Sequence, residues 1–267
     1  MKIARVVFST NRPEYLRPTL EAARRLEWGN LHHHNILIDD MPRGRDDKAI
    51  RRLAGEFGFE DVLLHSENMG IGRTWQETFD RLRDDDYVLH HEDDVVLLRP
   101  VSVPRLVRVL YDNPAASQVV LKRQPWYPHE RDAEALPDDI VDHEFRGEYG
   151  AAARFFTPIF SLYPIRHARR DYRQWWRTNY PRHPEAHNAF VNEALIGQCL
   201  FEGEGLRSLH LKHHDGSHLI EHIGAYTIGR KLNPGEPGWA NWSGLDPTQK
   251  YWSGTNVPIT RPFVPPT

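Results

Sequence analysis

Over its first 120 residues the chain alternates short β-branched runs with segments of helical period, and this alternation constrains the fold more than any other feature. Such βαβ alternation builds a parallel sheet with helices packed on it. The pattern predicts strands at Ile3 to Phe8, Asn35 to Asp39, Asp61 to Leu64, Tyr87 to His91 and Gln118 to Lys122. Leu16, Leu20, Ala23 and Leu26 recur at helical spacing behind Asn11, a candidate cap, with Pro13 in the first turn. Ile50, Leu53, Ala54 and Phe57 make a second apolar face. Ile71, Trp75, Phe79 and Leu82 make a third, and Leu106, Val107 and Leu110 a fourth. The expected architecture is α/β: a doubly wound, mostly parallel sheet with helices on both faces.

Beyond residue 120 the pattern changes. From Gln124 to about Tyr149, Pro, Asp, Glu and His dominate, which predicts a long loop near the ligand edge of the sheet. Regularity returns with a strand predicted over Phe155 to Tyr163 and a helix over Glu185 to Phe201, whose apolar face is Phe190, Val191, Ala194 and Leu195. After Ile228, Trp239, Trp242 and Trp252 stand among Pro and Gly, so an irregular, aromatic-rich C-terminal part is expected to wrap the domain. The 267 residues suit a single domain. Its 34 Lys and Arg against 37 Asp and Glu leave a net charge of -3, which gives no global attraction to nucleic acid or an anionic membrane. The single Cys199 excludes an intramolecular disulfide framework and a zinc-thiolate site, and fits a reducing compartment. Met1 to Phe8 reads as a first strand rather than a signal segment, and no apolar stretch approaches the roughly 20 residues that span a bilayer. A soluble, cytoplasmic protein is expected.

Four segments carry chemistry. Val7-Phe8-Ser9-Thr10-Asn11-Arg12-Pro13 runs from a strand into small polar residues and opens a helix, where backbone and hydroxyl groups suit a nucleotide base or serve only as a capped helix start. Ile36-Leu37-Ile38-Asp39-Asp40 ends a buried strand in acids able to accept hydrogen bonds from a pyrimidine imide or a ribose hydroxyl. Ser66-Glu67-Asn68-Met69-Gly70-Ile71-Gly72-Arg73 is a Gly-bearing turn entering a helix, where the Arg73 guanidinium could reach a pyrophosphate or the glycines serve only the backbone. Glu92, Asp93 and Asp94 form a turn at the carboxyl end of a strand, the edge where α/β sheets bind ligands. Three adjacent carboxylates are costly to bury unless a cation shares them. Hard Mg²⁺ or Mn²⁺ carrying substrate phosphates would meet that need, and the alternative is a solvated acidic turn. No Gly-x-x-x-x-Gly-Lys-Ser/Thr loop is present, and Gly70-Ile71-Gly72 lacks the third Gly of a dinucleotide fingerprint.

In this order and at these distances the four segments resemble the family 2 nucleotide-sugar glycosyltransferases and their GT-A fold, with good order over residues 3 to 100 and less clearly to about 224. The resemblance implies a single GT-A domain, with residues 1 to 120 as the nucleotide-sugar-binding half, 121 to 228 as the acceptor and catalytic half and 229 to 267 as a tail. It implies that Ser9, Thr10, Asp39 and Asp40 grip the nucleoside and Arg73 the phosphates, with Arg12, Asn68 and Asp93 beside the donor. Glu92-Asp93-Asp94 takes the place of the family's Asp-x-Asp metal motif, with Glu replacing the first Asp. Asp94 then becomes the best metal ligand, and Glu92 acts through water. Glu193, in Asn192-Glu193 where the family often has Glu-Asp, becomes the candidate general base. The metal shell would be completed by a late His, best matched by His222 before Ile223-Gly224, with His218 and His214 in reserve.

The activity implied is metal-dependent transfer of a sugar from a nucleoside diphosphate, with UDP-sugar as donor and Mn²⁺ or Mg²⁺ as cofactor, onto a hydroxyl acceptor. Trp126, Tyr127, Trp175 and Trp176, with the basic run Arg166 to Arg170 and Arg173 and Arg177, would suit a glycan, a small molecule or a hydroxymethylated DNA base, and the alternative is a solvated Arg-rich helix with its Trp packed inward. Two rivals stand beside it. One is a catalytically silent nucleotide-sugar or glycan-binding module, and the other is a metal-dependent nucleotidyltransferase releasing pyrophosphate. His32-His33-His34 is expected to be a solvated loop.

Overall fold

The computed structural model describes residues 2–40, 46–66, 71–82, 87–121, 141–145, 148–153, 160–165, 206–211 and 219–223. The expected alternation is realised as β1 (Ile3–Ser9), α1 (Pro13–Ala22), β2 (Leu26–Glu27), β3 (His33–Asp39), α2 (Asp47–Glu56), β4 (Asp61–Leu64), α3 (Ile71–Arg81), β5 (Tyr87–Glu92), β6 (Val95–Leu97), β7 (Val101–Ser102), α4 (Val103–Asp112) and β8 (Ala116–Leu121). Then come β9 (Val141–Phe145), β10 (Glu148–Ala153), β11 (Phe160–Pro164), β12 (Arg207–Leu211) and β13 (Ile220–His222). Nine of these strands form one sheet in the order β4-β3-β1-β5-β11-β8-β12-β10-β9. The first four are mutually parallel, β11 runs against both β5 and β8, β12 is parallel to β8, and β10 runs against β12 and β9. The sheet is therefore mostly parallel, with β11 and β10 reversed.

Alternation along the strands sorts helices onto opposite faces. Ala4, Val6, Phe8, Ile36 and Ile38 pack with Trp75, Phe79 and Leu82 of the α3 segment. Val7 and Leu37 point the other way and pack with Leu16 and Leu20 of α1 and Ile50, Leu53 and Ala54 of α2. Ile3 and Leu89 meet Leu106, Val109 and Leu110 of α4. Leu37 is fully buried in the centre of this arrangement. Leu37→Ala is expected to cost about 2–5 kcal/mol through lost transfer and a residual cavity. A lowered urea midpoint at unchanged slope would show it.

Several local expectations are corrected. Asn11 is not the cap of α1: Arg12 holds that position without a side-chain cap bond, and Asn11 adopts φ 56°, a left-handed turn conformation that Asn tolerates well. The Asn11 side chain instead accepts a bond from the Asp46 amide. The helix stops at Ala22, and Leu26 belongs to β2, paired with Val101 of β7. His33 and His34 are strand residues rather than loop, because β3 starts earlier than apolarity alone indicates. His33 lies flat on Trp28, with ring centroids 3.7 Å apart. The supposed loop to Tyr149 contains β9 and the start of β10, two strands whose small and polar residues carry no apolar alternation. Of the strand predicted over Phe155 to Tyr163, the described part is β11. The helix predicted over Glu185 to Phe201 and the tail after Ile228 lie outside the described residues.

Candidate functional site

Parallel pairing brings three strand ends to one edge. Ser9 is in register with Asp39, and Phe8 with Glu92, so the residues that follow β1, β3 and β5 emerge side by side. The Asp40 amide closes the gap by donating to the Ser9 carbonyl at 2.8 Å. This is the carboxyl edge of the parallel strands, where helix and loop starts leave room for a ligand.

The left-handed turn at Asn11 aims successive amides at the acids. The Thr10 amide donates to Asp93 Oδ2 at 3.1 Å, and the Asn11 amide to Asp39 Oδ2 at 2.8 Å. Two predicted ligand-binding carboxylates, Asp39 and Asp93, thus also brace the β1–α1 turn. Both are buried. Burial raises the pKa of Asp39, while the Asn11 amide and the neighbouring Ser9 hydroxyl act in the opposite direction.

Arg12 sits over this group. Its guanidinium binds Asp93 through Nε, 3.2 Å from Oδ2, and through a close contact from Nη2 to Oδ1. The same Nη2 is 2.9 Å from Asp94 Oδ2. The Tyr15 ring lies against the guanidinium, 5.3 Å from its centroid. Asp93 and Asp94 are both buried, whereas Arg12 is 28 % exposed, so the cation forms the lid of the acidic turn. Burial pushes Asp93 up to about 6 against the pull of Arg12, and Asp94 adds to the push. Burial also works against the charge on Arg12, but Asp93 and Asp94 outweigh it and the guanidinium holds its proton more tightly than usual. The two shifts differ in origin: burial leads the rise of Asp93, whereas the neighbouring carboxylates produce the net rise of Arg12.

A residue the sequence reading passed over completes the edge. His65, directly after β4, has Nδ1 3.1 Å from Asp40 Oδ1 and Nε2 2.9 Å from Glu77 Oε2 on α3. The available signal was its position: it follows a strand at the same edge as Asp40 and Asp93. Deeper in the sheet, His90 is fully buried between Phe8 and Trp75, and burial lowers its pKa to about 3, which marks a neutral core imidazole.

The structure therefore brings Ser9, Thr10, Arg12, Asp39, Asp40, Glu92, Asp93 and Asp94 together. Arg73 lies in the first turn of α3 and enters by backbone position alone. His222 does likewise: β13 pairs with β6 so that His222 faces Val95, and the Ile223 amide donates to the Asp94 carbonyl at 2.8 Å. Asn68, Glu193, His214, His218, Trp126, Tyr127, Trp175, Trp176 and the basic run from Arg166 lie outside the described residues.

A hard divalent cation at this edge would draw on carboxylate oxygen donors. Glu92 and Asp94 offer carboxylate oxygens, and strand pairing carries His222 to within one residue of Asp94 along the ladder. Among the described side chains alone, no three His, Cys, Asp or Glu close a metal cluster.

No protein-family profile matches the chain, and no curated protein matches it in sequence. Solved structures do resemble it. S. aureus TarS 1-349 in complex with UDP superposes with a TM-score of 0.55 at 10% identity, over 86% of this chain and 64% of that one. The same TarS segment in complex with UDP-GlcNAc gives 0.54 at 11% identity, over 84% of this chain and 61% of that one. A longer TarS structure gives 0.55 at 11% identity, and this chain covers 39% of it. The chain thus spans less than two thirds of each of these proteins and shares with them a GT-A-like fold.

Proposed function

We propose that the chain transfers a sugar from a nucleoside diphosphate, with UDP-sugar as the favoured donor, to a hydroxyl acceptor. The observation that carries this reading is the convergence of Asp39, Asp40, Arg12 and the Glu92-Asp93-Asp94 turn on one edge of a GT-A-like sheet. The TarS complexes with UDP and UDP-GlcNAc support the choice of donor through the shared fold. In this reading residues 1–120 hold the donor, 121–228 face the acceptor and 229–267 form a tail.

The chemistry follows from charge. An edge rich in carboxylates repels a diphosphate, so a cation must stand between them. Asp94 and His222, with Glu92 through water, would hold Mn²⁺ or Mg²⁺, which supplies Lewis-acid neutralisation of the departing diphosphate. Asp40 and Asp39 accept hydrogen bonds from the base and ribose, Ser9 and Thr10 line the same pocket edge, and Arg73 with Asn68 flanks the phosphates. Asp93 and Arg12 keep the acidic turn in place beneath the donor. Glu193 takes the proton from the acceptor hydroxyl if the anomeric centre inverts. The acceptor surface would draw on Trp126, Tyr127, Trp175 and Trp176 and the basic run from Arg166. A glycan or small molecule fits these aromatics, and a hydroxymethylated base in DNA is the variant that would also use the arginines.

The test is turnover. Incubation with a panel of UDP-sugars and Mn²⁺ is expected to release UDP slowly even without acceptor, and chelation to stop it. Release of pyrophosphate would instead mark a nucleotidyltransferase. Binding of the UDP-sugar with no release under any acceptor condition would leave a silent binding module.

A further inference from the structure

His65 is 8 % exposed and sits immediately after β4, where its amide donates to the Asp39 carbonyl at 3.0 Å. Carboxylates meet its ring at both nitrogens: Asp40 from the end of β3 and Glu77 from α3. An ionised carboxylate only accepts hydrogen bonds. A neutral imidazole has one N–H, so it satisfies one carboxylate and turns a lone pair toward the other, whereas the imidazolium donates to both. The contact geometry therefore selects the charged ring.

Of the charged groups around the ring, among the described residues, the two carboxylates reinforce that selection and the Arg81 guanidinium works against it. Asp40 and Glu77 face it directly. Arg81 Nη2 lies 3.4 Å from the other Glu77 oxygen, and Asp39 turns its carboxylate to the Asn11 amide. The hydrogen bond to Asp40 raises the His65 pKa above its usual value, burial opposes this, and Glu77 adds to the rise.

We infer that His65 is a positioning residue: as an imidazolium it clasps Asp40 to α3, fixes the carboxylate that reads the nucleoside, and loosens donor binding when it gives up its proton. The identity of the ligand and the role of Asp40 in reading it rest on the transferase reading. A group whose folded pKa is raised contributes its full effect below the ordinary imidazole value and loses it as pH rises through the folded value. Donor affinity should therefore fall on the alkaline side.

Two measurements on the full chain test this. Ring resonances of His65, assigned by their absence in His65→Gln, are followed by NMR titration in the wild type and in Glu77→Gln. That second exchange alters a carboxylate that is 40 % exposed, and so leaves the core packing intact. Calorimetry then compares UDP binding to wild type and His65→Gln one pH unit below and one above the measured His65 value. Taking the affinity ratio of the two proteins cancels the ionisation of UDP itself. His65 is expected to titrate above the ordinary imidazole range and to drop in Glu77→Gln. The wild type is expected to bind UDP about tenfold more tightly than His65→Gln on the acid side, with the ratio collapsing toward unity on the alkaline side. An affinity ratio that does not change with pH overturns the inference while leaving the transferase reading intact. So does a His65 that titrates at or below its ordinary value. If His65 titrates as expected but neither protein binds UDP, the donor reading itself fails and the proposed role of His65 falls with it.

Discussion

Asp94→Asn is expected to lower sugar transfer by roughly 10²–10³-fold, the loss typical of removing one preorganised electrostatic contact from an active site. The exchange is isosteric, and an amide oxygen still accepts from Arg12, so the 3 % exposed side chain keeps its packing. What disappears is one negative charge at the position proposed to anchor the cation. The apparent requirement for Mn²⁺ should rise steeply, while UDP binding without added metal should change little. Glu92→Gln provides the graded comparison. Glu92 is half-buried at the last position of β5 and is proposed to act through water, so its loss should cost only about tenfold. Steady-state transfer at saturating donor across a Mn²⁺ titration measures both. An Asp94→Asn enzyme with near wild-type turnover, or a Glu92→Gln enzyme that is the worse of the two, would remove Asp94 from the metal role.

The edge that gathers the candidate residues was legible because they obey strand-end logic. Asp39, Asp40 and the 92–94 turn follow apolar runs, and parallel register forces all such ends onto one edge. Helix periods likewise revealed α1 to α4, since apolar faces such as Trp75 and Phe79 must be buried somewhere. Division of labour among the acids was not legible. Nothing in a run of three carboxylates tells which one turns inward to a backbone amide, and that choice depends on the left-handed turn at Asn11 in a different segment. His65 escaped notice for the same reason: its partners Asp40 and Glu77 are 25 and 12 residues away and meet only through the fold. β9 and β10 were missed because their pairing, rather than their composition, makes them strands.

Arg12→Met is expected to destabilise the protein by about 3 kcal/mol, the lower end of what breaking a buried ion pair costs, because Arg12 itself is 28 % exposed and water replaces part of what it gave. The loss falls on Asp93. Its side chain is 1 % exposed, and without the guanidinium the hydrogen bond left to it among the described residues is from the Thr10 amide. A buried carboxylate in that position must either stay charged without a counter-ion or take up a proton, and both cost free energy. Asp93→Asn should be far milder alone, since the amide oxygen can still accept from Thr10 and Arg12 keeps Asp94. In the Arg12→Met background the same exchange should recover most of the lost stability, which makes the double-mutant cycle the decisive measurement. Urea unfolding of the four proteins supplies it. A single Arg12→Met change that costs under about 0.5 kcal/mol, or a pair that is merely additive, would show that Arg12 is a surface cation and not the internal counter-charge of the acidic turn. The cycle also bears on function. If Arg12 is what allows three acids to be held at the edge before any ligand arrives, its removal should impair transfer more than it impairs folding at permissive temperature, because the remaining carboxylates would no longer be held in one arrangement.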